Sequence, residues 1–505
     1  MPEYLAPGVY VEESFSNASP IAGVSTSTAG FLGLTERGPE AVQFITSWIE
    51  FHRLYGSYIE QSYLAYAVQG FFDNGGRRCF IGRIVSESAT ASEANIDDLH
   101  IVAIGRGKWS DGKIEVRIDQ SDQLPRDGNQ LKVIVCFGDQ QEMFTNVTLD
   151  SLPSVINRSS NLIRAWWKGG TPPSTLTLSA PDAKDPYGLV PTILGGGSDG
   201  AALTEADFEG REGLIPFRPK KLPPNQKDLL GRDSGLIAMS KIGEISLLII
   251  PDEVQSEYGG DQLSKMAIQQ CETLRDRFAI VSAPQSAGEV QSLMPVQDSK
   301  YAAFYYPWIK VFDPSANAVK LIPASGHIAG IYARTDSERG VHKAPADEVV
   351  RGALDLQMPI TKGVQDLLNP RGVNCMRDFR SDGRGLRLWG ARTMSSDPEW
   401  KYINVRRLFM FVEQSIDEGT RWAVFEPNDS ATWAKVTRVV TSFLDSVWRS
   451  GGLMGNTPDE AFFVKCDRTT MTQDNIDSGR LICVIGIAPV KPAEFVIFRI
   501  SQQTA

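Results

Sequence analysis

The sequence has little from which to build a metal or redox centre. Its 505 residues include only four histidines and six cysteines, Cys79, Cys136, Cys271, Cys375, Cys466 and Cys483. No two cysteines form a C-x-x-C pair and no histidine lies beside such a pair, so the clustered ligands of a zinc site are missing. Each cysteine sits in or beside an apolar segment, as a small core residue does. Reduced thiols are expected, as in a protein made in a bacterial cytoplasm. Long hydrophobic runs are also missing: nothing approaches the ~20 apolar residues of a membrane-spanning helix. Met1-Pro2-Glu3-Tyr4 lacks the basic region and apolar run of a secretory leader, and none is expected. Positive charge is in deficit, with a formal net charge of −10. That argues against nucleic-acid binding, which needs a basic footprint. No cofactor, metal, nucleic-acid or membrane contact is expected.

Catalytic motifs are equally thin. No H-E-x-x-H and no calcium loop occurs. Gly105-Arg106-Gly107-Lys108-Trp109 is not a phosphate loop, because Trp109 stands where Ser or Thr is required. Gly196-Gly197-Ser198-Asp199-Gly200 matches G-x-S-x-G, but a nucleophile elbow needs an apolar helix directly behind it. Here the helix start falls further on, near Thr204-Glu205, and nothing orients His327 or His342 toward Ser198. Ser325, His327 and Asp336 are close in sequence only, and a triad is a matter of spatial geometry. A soluble α/β serine hydrolase using Ser198 is kept as an alternative to a non-enzymatic role.

What is present is an ordinary globular composition, 42% apolar and 22% charged, in a chain long enough for about three domains. Two small, polar or glycine-rich stretches, residues 86–95 and 195–200, read as linkers or turns. Between them, alternating runs at Ile114-Glu115-Val116-Arg117-Ile118 and Leu131-Lys132-Val133-Ile134-Val135 predict antiparallel β-structure. Outside them, the chain alternates strand and helix. Leu247-Leu248-Ile249-Ile250, a helix through Leu263, Ala267, Cys271 and Leu274, and Phe278-Ala279-Ile280-Val281 form a βαβ unit, hence a parallel sheet. Leu408 to Glu418 predicts a helix stopped by Gly419, and Trp422-Ala423-Val424-Phe425 a short strand. Ser430 to Arg449 predicts a long helix with apolar residues at Trp433, Val436, Val440, Phe443 and Val447. Ala461-Phe462-Phe463-Val464 and Leu481-Ile482-Cys483-Val484-Ile485 predict further strands.

The fold class expected is α/β and multidomain, with mixed sheets, flanking helices, an inserted β-rich domain and strand-like arms at both ends. The domains expected are an N-terminal arm (1–20), an α/β middle domain (21–95 and 200–370), the inserted β-rich domain (96–199), a C-terminal α/β domain (371–491) and a C-terminal arm (492–505). The arms rest on Val9, Tyr10 and Val11 near the start and on Phe495, Val496, Ile497 and Phe498 near the end. Two readings stand for them: edge strands of the chain's own sheet, or arms that complete the sheet of a neighbour through main-chain hydrogen bonds.

Several segments, in order along the chain, resemble the contractile tail sheath proteins of phages, R-type bacteriocins and extracellular injection systems. They are Ala6-Pro7-Gly8-Val9-Tyr10-Val11-Glu12-Glu13, Gly23-Val24-Ser25-Thr26-Ser27-Thr28-Ala29-Gly30-Phe31, and Pro323-Ala324-Ser325-Gly326-His327-Ile328-Ala329-Gly330-Ile331-Tyr332-Ala333-Arg334-Thr335-Asp336. Leu388-Trp389-Gly390-Ala391-Arg392-Thr393, Tyr402-Ile403-Asn404-Val405-Arg406-Arg407-Leu408 and Ala461-Phe462-Phe463-Val464-Lys465-Cys466-Asp467 continue the match. The resemblance is weakest in the inserted segment, as suits an exposed insertion.

The resemblance implies a structural subunit that polymerises helically around an inner tube and contracts to drive that tube through a target envelope. It implies partners in further copies of the chain, the tube protein, the baseplate and a tail-terminator or cap protein. It implies assembly in the bacterial cytoplasm as part of a virion tail or an extracellular particle. It also implies that the C-terminal domain is innermost. The face of the Ser430–Arg449 helix bearing Lys435, Arg438 and Arg449 is then either a solvated polar face or a contact with the tube. A second basic group, Arg371, Arg377, Arg380, Arg384, Arg387 and Arg392, reads as a solvated loop, with a subunit or anion contact as the other reading. A non-contractile tube or shell protein is a further alternative.

Overall fold

The structure, a computed structural model, describes residues 20–121, 130–213, 233–285 and 290–494. The chain divides into two compact units: residues 25–407, and residues 408 onward together with the segment ending at Val24.

The larger unit is built on a nine-stranded sheet. Its strands are β1 (Ala29–Gly33), β2 (Gln43–Ile45), β3 (Cys79–Arg83), β4 (Leu247–Ile249), β5 (Phe278–Ser282), β6 (Ala302–Tyr306), β7 (Glu348–Val349), β8 (Val373–Phe379) and β9 (Gly385–Leu388). They lie in the order β7-β9-β8-β6-β5-β4-β1-β3-β2. The centre is parallel throughout, from β3 across to β8. The outer strands β2, β9 and β7 pair antiparallel. All residues of β1, β4, β5 and β6 are buried. This is why they read as unbroken apolar runs: a parallel sheet covered on both faces leaves no polar side to alternate with. The expected βαβ unit is present, with helix α2 (Asp261–Leu274) joining β4 to the parallel β5.

Glycines set the helix packing over this sheet. Helix α1 (Leu64–Asp73) and helix α3 (Ser325–Arg339) touch backbone to backbone. A Cβ on Gly326 would stand 2.2 Å from the Ala67 carbonyl oxygen, one on Gly330 2.4 Å from that of Phe71, and one on Gly70 2.2 Å from His327 Nδ1. Contacts that short exclude any side chain, so the small residues of Ser325-Gly326-His327-Ile328-Ala329-Gly330 are a packing requirement. His327 is wholly buried here, and desolvation lowers its pKa to about 4.

The sheet and its helices are pinned by buried acids. After β4, a 3₁₀ turn at Pro251–Val254 buries Asp252 and Glu253. Asp252 accepts from Ser62 Oγ (2.6 Å) and from the Tyr63 amide (2.7 Å), at the start of α1. Glu253 accepts from Ser264 Oγ of α2 (3.0 Å) and from the Ser282 amide of β5 (2.7 Å). Burial raises Asp252 to about 6 and Glu253 from 4.5 to about 8. An acid whose folded pKa is raised stabilises the fold fully below its unfolded value and loses that contribution as pH climbs through the folded value. For Glu253 the window runs from 4.5 to about 8. His327 acts in the opposite sense and only below its ordinary 6.5. Between pH ~6.5 and ~8 the protein should therefore lose about 1.5 kcal/mol of stability through Glu253, and Glu253→Gln should remove that slope. Urea unfolding of both proteins at the two pH values measures it; equal slopes would refute the assignment.

A second buried lock closes the unit. Arg407 donates to Asp336 through Nη1 (3.0 Å) and Nη2 (2.6 Å), and also to the Thr26 carbonyl (2.8 Å). Thr26 Oγ1 donates to Asp336 Oδ2 (2.7 Å), and the Arg407 guanidinium lies over the Tyr332 ring.

The inserted segment is all antiparallel apart from its helix. Ile114–Gln120, Leu131–Phe137, Gln140–Val147 and Thr192–Ile193 form one sheet, and Glu93–Ile96, Leu99–Ala103 and Ile163–Trp167 another, with a helix at Leu152–Ser159. Ile101, Ile114, Val116, Val133, Val135, Ile163 and Leu194 share one apolar core. The two stretches expected as linkers are not loose. Thr90 bridges Ser198 and Glu93 bridges Gly195, antiparallel, and Ser86, Ala91 and Ser92 are buried. Their small residues serve close packing: a Cβ on Gly197 would stand 2.3 Å from Ser92 Oγ.

Helix α4 (Ile403–Thr420) starts earlier than expected, within the larger unit, and runs through Gly419 in the smaller one. Gly419 does not stop the helix. It makes room for Ile21, whose Cγ1 would lie 2.5 Å from a Cβ there. The strand expected at Trp422-Ala423-Val424-Phe425 is also absent: Arg421–Ala423 is a 3₁₀ turn, and Phe425 takes φ +70° with its ring fully exposed. Apolar composition alone misleads here, since no partner strand lies beside it among the described residues. Helix α5 (Ser430–Arg449) keeps the predicted bounds, with Asp429 accepting from the Thr432 amide at its start. Strands β10 (Phe462–Lys465) and β11 (Val484–Ile487) form a two-stranded antiparallel sheet. The strand expected from Leu481 begins three residues later, because Leu481 and Ile482 pack in a loop against Trp433.

Candidate functional site

The expected arm residues Val9, Tyr10, Val11, Phe495, Val496, Ile497 and Phe498 lie outside the described residues. Among the described residues, β10–β11 is one sheet with open edges that could receive an arm. Each strand has one partner, so each presents an unpaired outer edge among the described residues. Two strands alone are marginal in water, and this pair gains support by packing Phe462 inward while α5 lies nearby. Phe463 and Val484 remain exposed. Phe463 folds its ring across Gly486, where a Cβ would meet it at 2.2 Å. An open edge flanked by exposed apolar side chains can take a further strand, which gains ladder hydrogen bonds and shields those side chains.

The polar face of α5 carries the three cations singled out in the sequence. The structure sets them in different environments. Lys435 lies over the Trp422 ring, 4.2 Å from its centroid. Arg449 pairs with Asp445 at 2.9 Å, one helical turn away, and both reach solvent. Arg438 is exposed. An exposed i,i+4 pair contributes only about 0.3–0.5 kcal/mol, so Arg449 is readily released to another partner. Sequence reasoning missed Trp422 as the platform for Lys435, because Trp422 was assigned to a strand.

Within the second basic group, Arg380, Arg384 and Arg387 form a salt-bridged surface turn, while Arg371 donates to the Leu293 carbonyl and Arg377 to Gln365 Oε1. Arg380 donates to Asp378 and Asp355, and Arg384 and Arg387 both donate to Asp347. Arg392 donates to the Asn369 carbonyl. At Arg380, Arg384 and Arg387, carboxylates already occupy the positions an anion would take.

No hydrolase geometry forms at Ser198. Its backbone is bridged to Thr90 and its Oγ accepts from the Gly200 amide, and no hydrogen bond joins it to a histidine among the described residues. His327 is instead buried against α1.

Residues 238–394 match the phage tail sheath protein central domain, and residues 395–503 match the phage tail sheath C-terminal domain. The chain belongs to the phage tail sheath family. A Pseudomonas aeruginosa prophage protein named as a major tail sheath protein is 29% identical over 231 residues, 44% of this chain and 57% of that protein. The tail sheath protein of Escherichia phage P2 is 24% identical over 237 residues, again 57% of its length. The chain thus spans less than two thirds of these sheath relatives. Among solved structures, the sheath of an extracellular contractile injection system in its contracted state aligns with 100% of this chain and 99% of its own, at 23% identity and TM-score 0.58. A sheath tail protein from Listeria innocua aligns over 93% of this chain and 96% of its own, at 12% identity and TM-score 0.62. At these identities the shared feature is the sheath fold.

Proposed function

We propose that this chain is the sheath subunit of a contractile injection machine. It polymerises helically around an inner tube, linked at one end to a baseplate and at the other to a terminator or cap, and contracts to drive the tube through an envelope. The observation that carries this is the β10–β11 sheet, both of whose outer edges are unpaired among the described residues, in a chain of the sheath family. Arms at residues 1–20 and 492–505, from neighbouring copies, fill those edges and turn many subunits into one mesh. Such links let each body move rigidly while the connections flex, which is what a contracting lattice needs. Residues 371–491 lie toward the tube and residues 96–199 outward, and the tube is held by Lys435, Arg438 and Arg449 through weak, exchangeable charge contacts. The chain performs no catalysis; its work is stored in a lattice assembled in the bacterial cytoplasm and carried by a virion tail or released particle.

Negative-stain microscopy of the purified full chain tests this directly. Long hollow helical tubes are expected. A uniformly monomeric protein at high concentration would overturn the proposal, and one lattice form with no extended state around a tube would favour a non-contractile shell.

A further inference from the structure

Cys466 and Cys483 are far apart in sequence and opposed in space. The β10–β11 register pairs Lys465 with Val484, so the next opposed positions are Cys466 and Cys483. The Ala488 amide donates to the Ala461 carbonyl, which marks that pair as hydrogen-bonded; counting along the ladder, 466 and 483 fall at a non-hydrogen-bonded position. Opposed Cα atoms at such positions lie about 4.5 Å apart, with side chains on one face, inside the range a disulfide spans. Beyond the effect of burial, the neighbouring Cys483 sulfur pushes the Cys466 thiol further up, as two facing thiols do. Both belong to a small apolar cluster with Trp433 and Met471, and the loop between them is tied down by Thr470 Oγ1 donating to the Ile482 carbonyl (3.0 Å).

We infer that Cys466 and Cys483 form a redox-modification site, closing a cross-strand disulfide when the protein meets a low-molecular-weight disulfide. The chemistry balances by exchange. The half-exposed Cys483 loses its proton and attacks one sulfur of the small disulfide, releasing one small thiol and leaving a mixed disulfide. Cys466, buried beside it, then loses its proton and attacks the Cys483 sulfur, releasing the second small thiol. Two protein thiols are oxidised and one disulfide reagent is reduced to two thiols. The bond joins the open end of the β10–β11 sheet and closes residues 467–482 into a ring. The inference stands on this geometry and does not need the sheath reading. Burial raises both thiols, Cys466 to about 12, so exchange is slow at neutral pH and the reduced pair persists during synthesis. Cys79, Cys136, Cys271 and Cys375 are buried and have no such partner among the described residues.

The test is to incubate the native full-length chain with oxidised glutathione at pH ~8, block free thiols, digest without reductant and map the peptides. Two of the six thiols should disappear, with one peptide pair joined through Cys466 and Cys483, lighter by about 2 Da than the reduced pair. The joined protein should melt at a higher temperature, and reductant should reverse the shift. Cys466→Ser should stop at a stable glutathione adduct on Cys483. A lasting adduct on Cys483 in the unsubstituted chain, or six intact thiols after an exposure that oxidises the urea-unfolded chain, would overturn the inference.

Discussion

Removing residues 1–12, or residues 495–505, should abolish tube formation while leaving far-UV circular dichroism and the urea midpoint of the subunit unchanged. The expected change in assembly is complete, because in the proposed mesh each neighbour link would be a strand entering an open edge of β10–β11. Each ladder hydrogen bond contributes a net ~0.5–1.5 kcal/mol, and burying Phe495 and Phe498 contributes about 1.5–3 kcal/mol more per ring. Losing all of these at every joint leaves no continuous lattice. The fold should survive, since the nine-stranded sheet and the α5 core are built from other residues. Tubes of normal length from either truncation would reject the arm model.

The largest stability effect is expected at the Asp336–Arg407 pair. Both side chains are 3% exposed. Arg407→Met leaves the Asp336 carboxylate buried without its main partner, at an expected cost of about 3–5 kcal/mol in urea unfolding. Asp336→Leu should cost a similar amount, because it strands the guanidinium. The double substitution removes both charges at once and should recover most of the loss, since the expense lies in an uncompensated buried charge. A cost below ~1 kcal/mol for either single change, or no recovery in the double, would show that the pair is solvated and unimportant. The two residues are 71 apart in sequence. Their pairing links α3 to the residues of α4 that belong to the larger unit, and Thr26 completes it just before β1.

Much of this architecture was legible from side-chain periodicity. The buried runs at Leu247 and Phe278 announced a parallel sheet, and the three-four spacing from Trp433 to Val447 announced α5. Those signals are local: a strand covered on both faces must be apolar throughout, and an amphipathic helix must repeat near 3.6 residues. Trp422-Ala423-Val424-Phe425 shows the limit. Its composition favours a strand, yet a strand exists only if another chain segment offers a ladder, and none of the described residues does.

The residues that would meet other subunits were partly visible and partly hidden. The cations of α5 could be named from the helix period, but the stacking of Lys435 on Trp422 depended on where a 3₁₀ turn put the indole. Small residues carried a double meaning that sequence could not resolve. The serines and alanines of residues 86–95 looked like a loose linker, and they are instead packed against residues 195–198 so closely that Gly197 has no room for a Cβ.

By itself the amino-acid order determined the fold class, the parallel core, the long capped helix and the family likeness, because each rests on patterns within one element. Only the tertiary structure decided which distant residues meet: Asp336 with Arg407, Gly326 with Ala67, Cys466 with Cys483. Those pairings follow from strand register and helix crossing, which are set by the packing of the whole unit and leave no periodic trace along the chain.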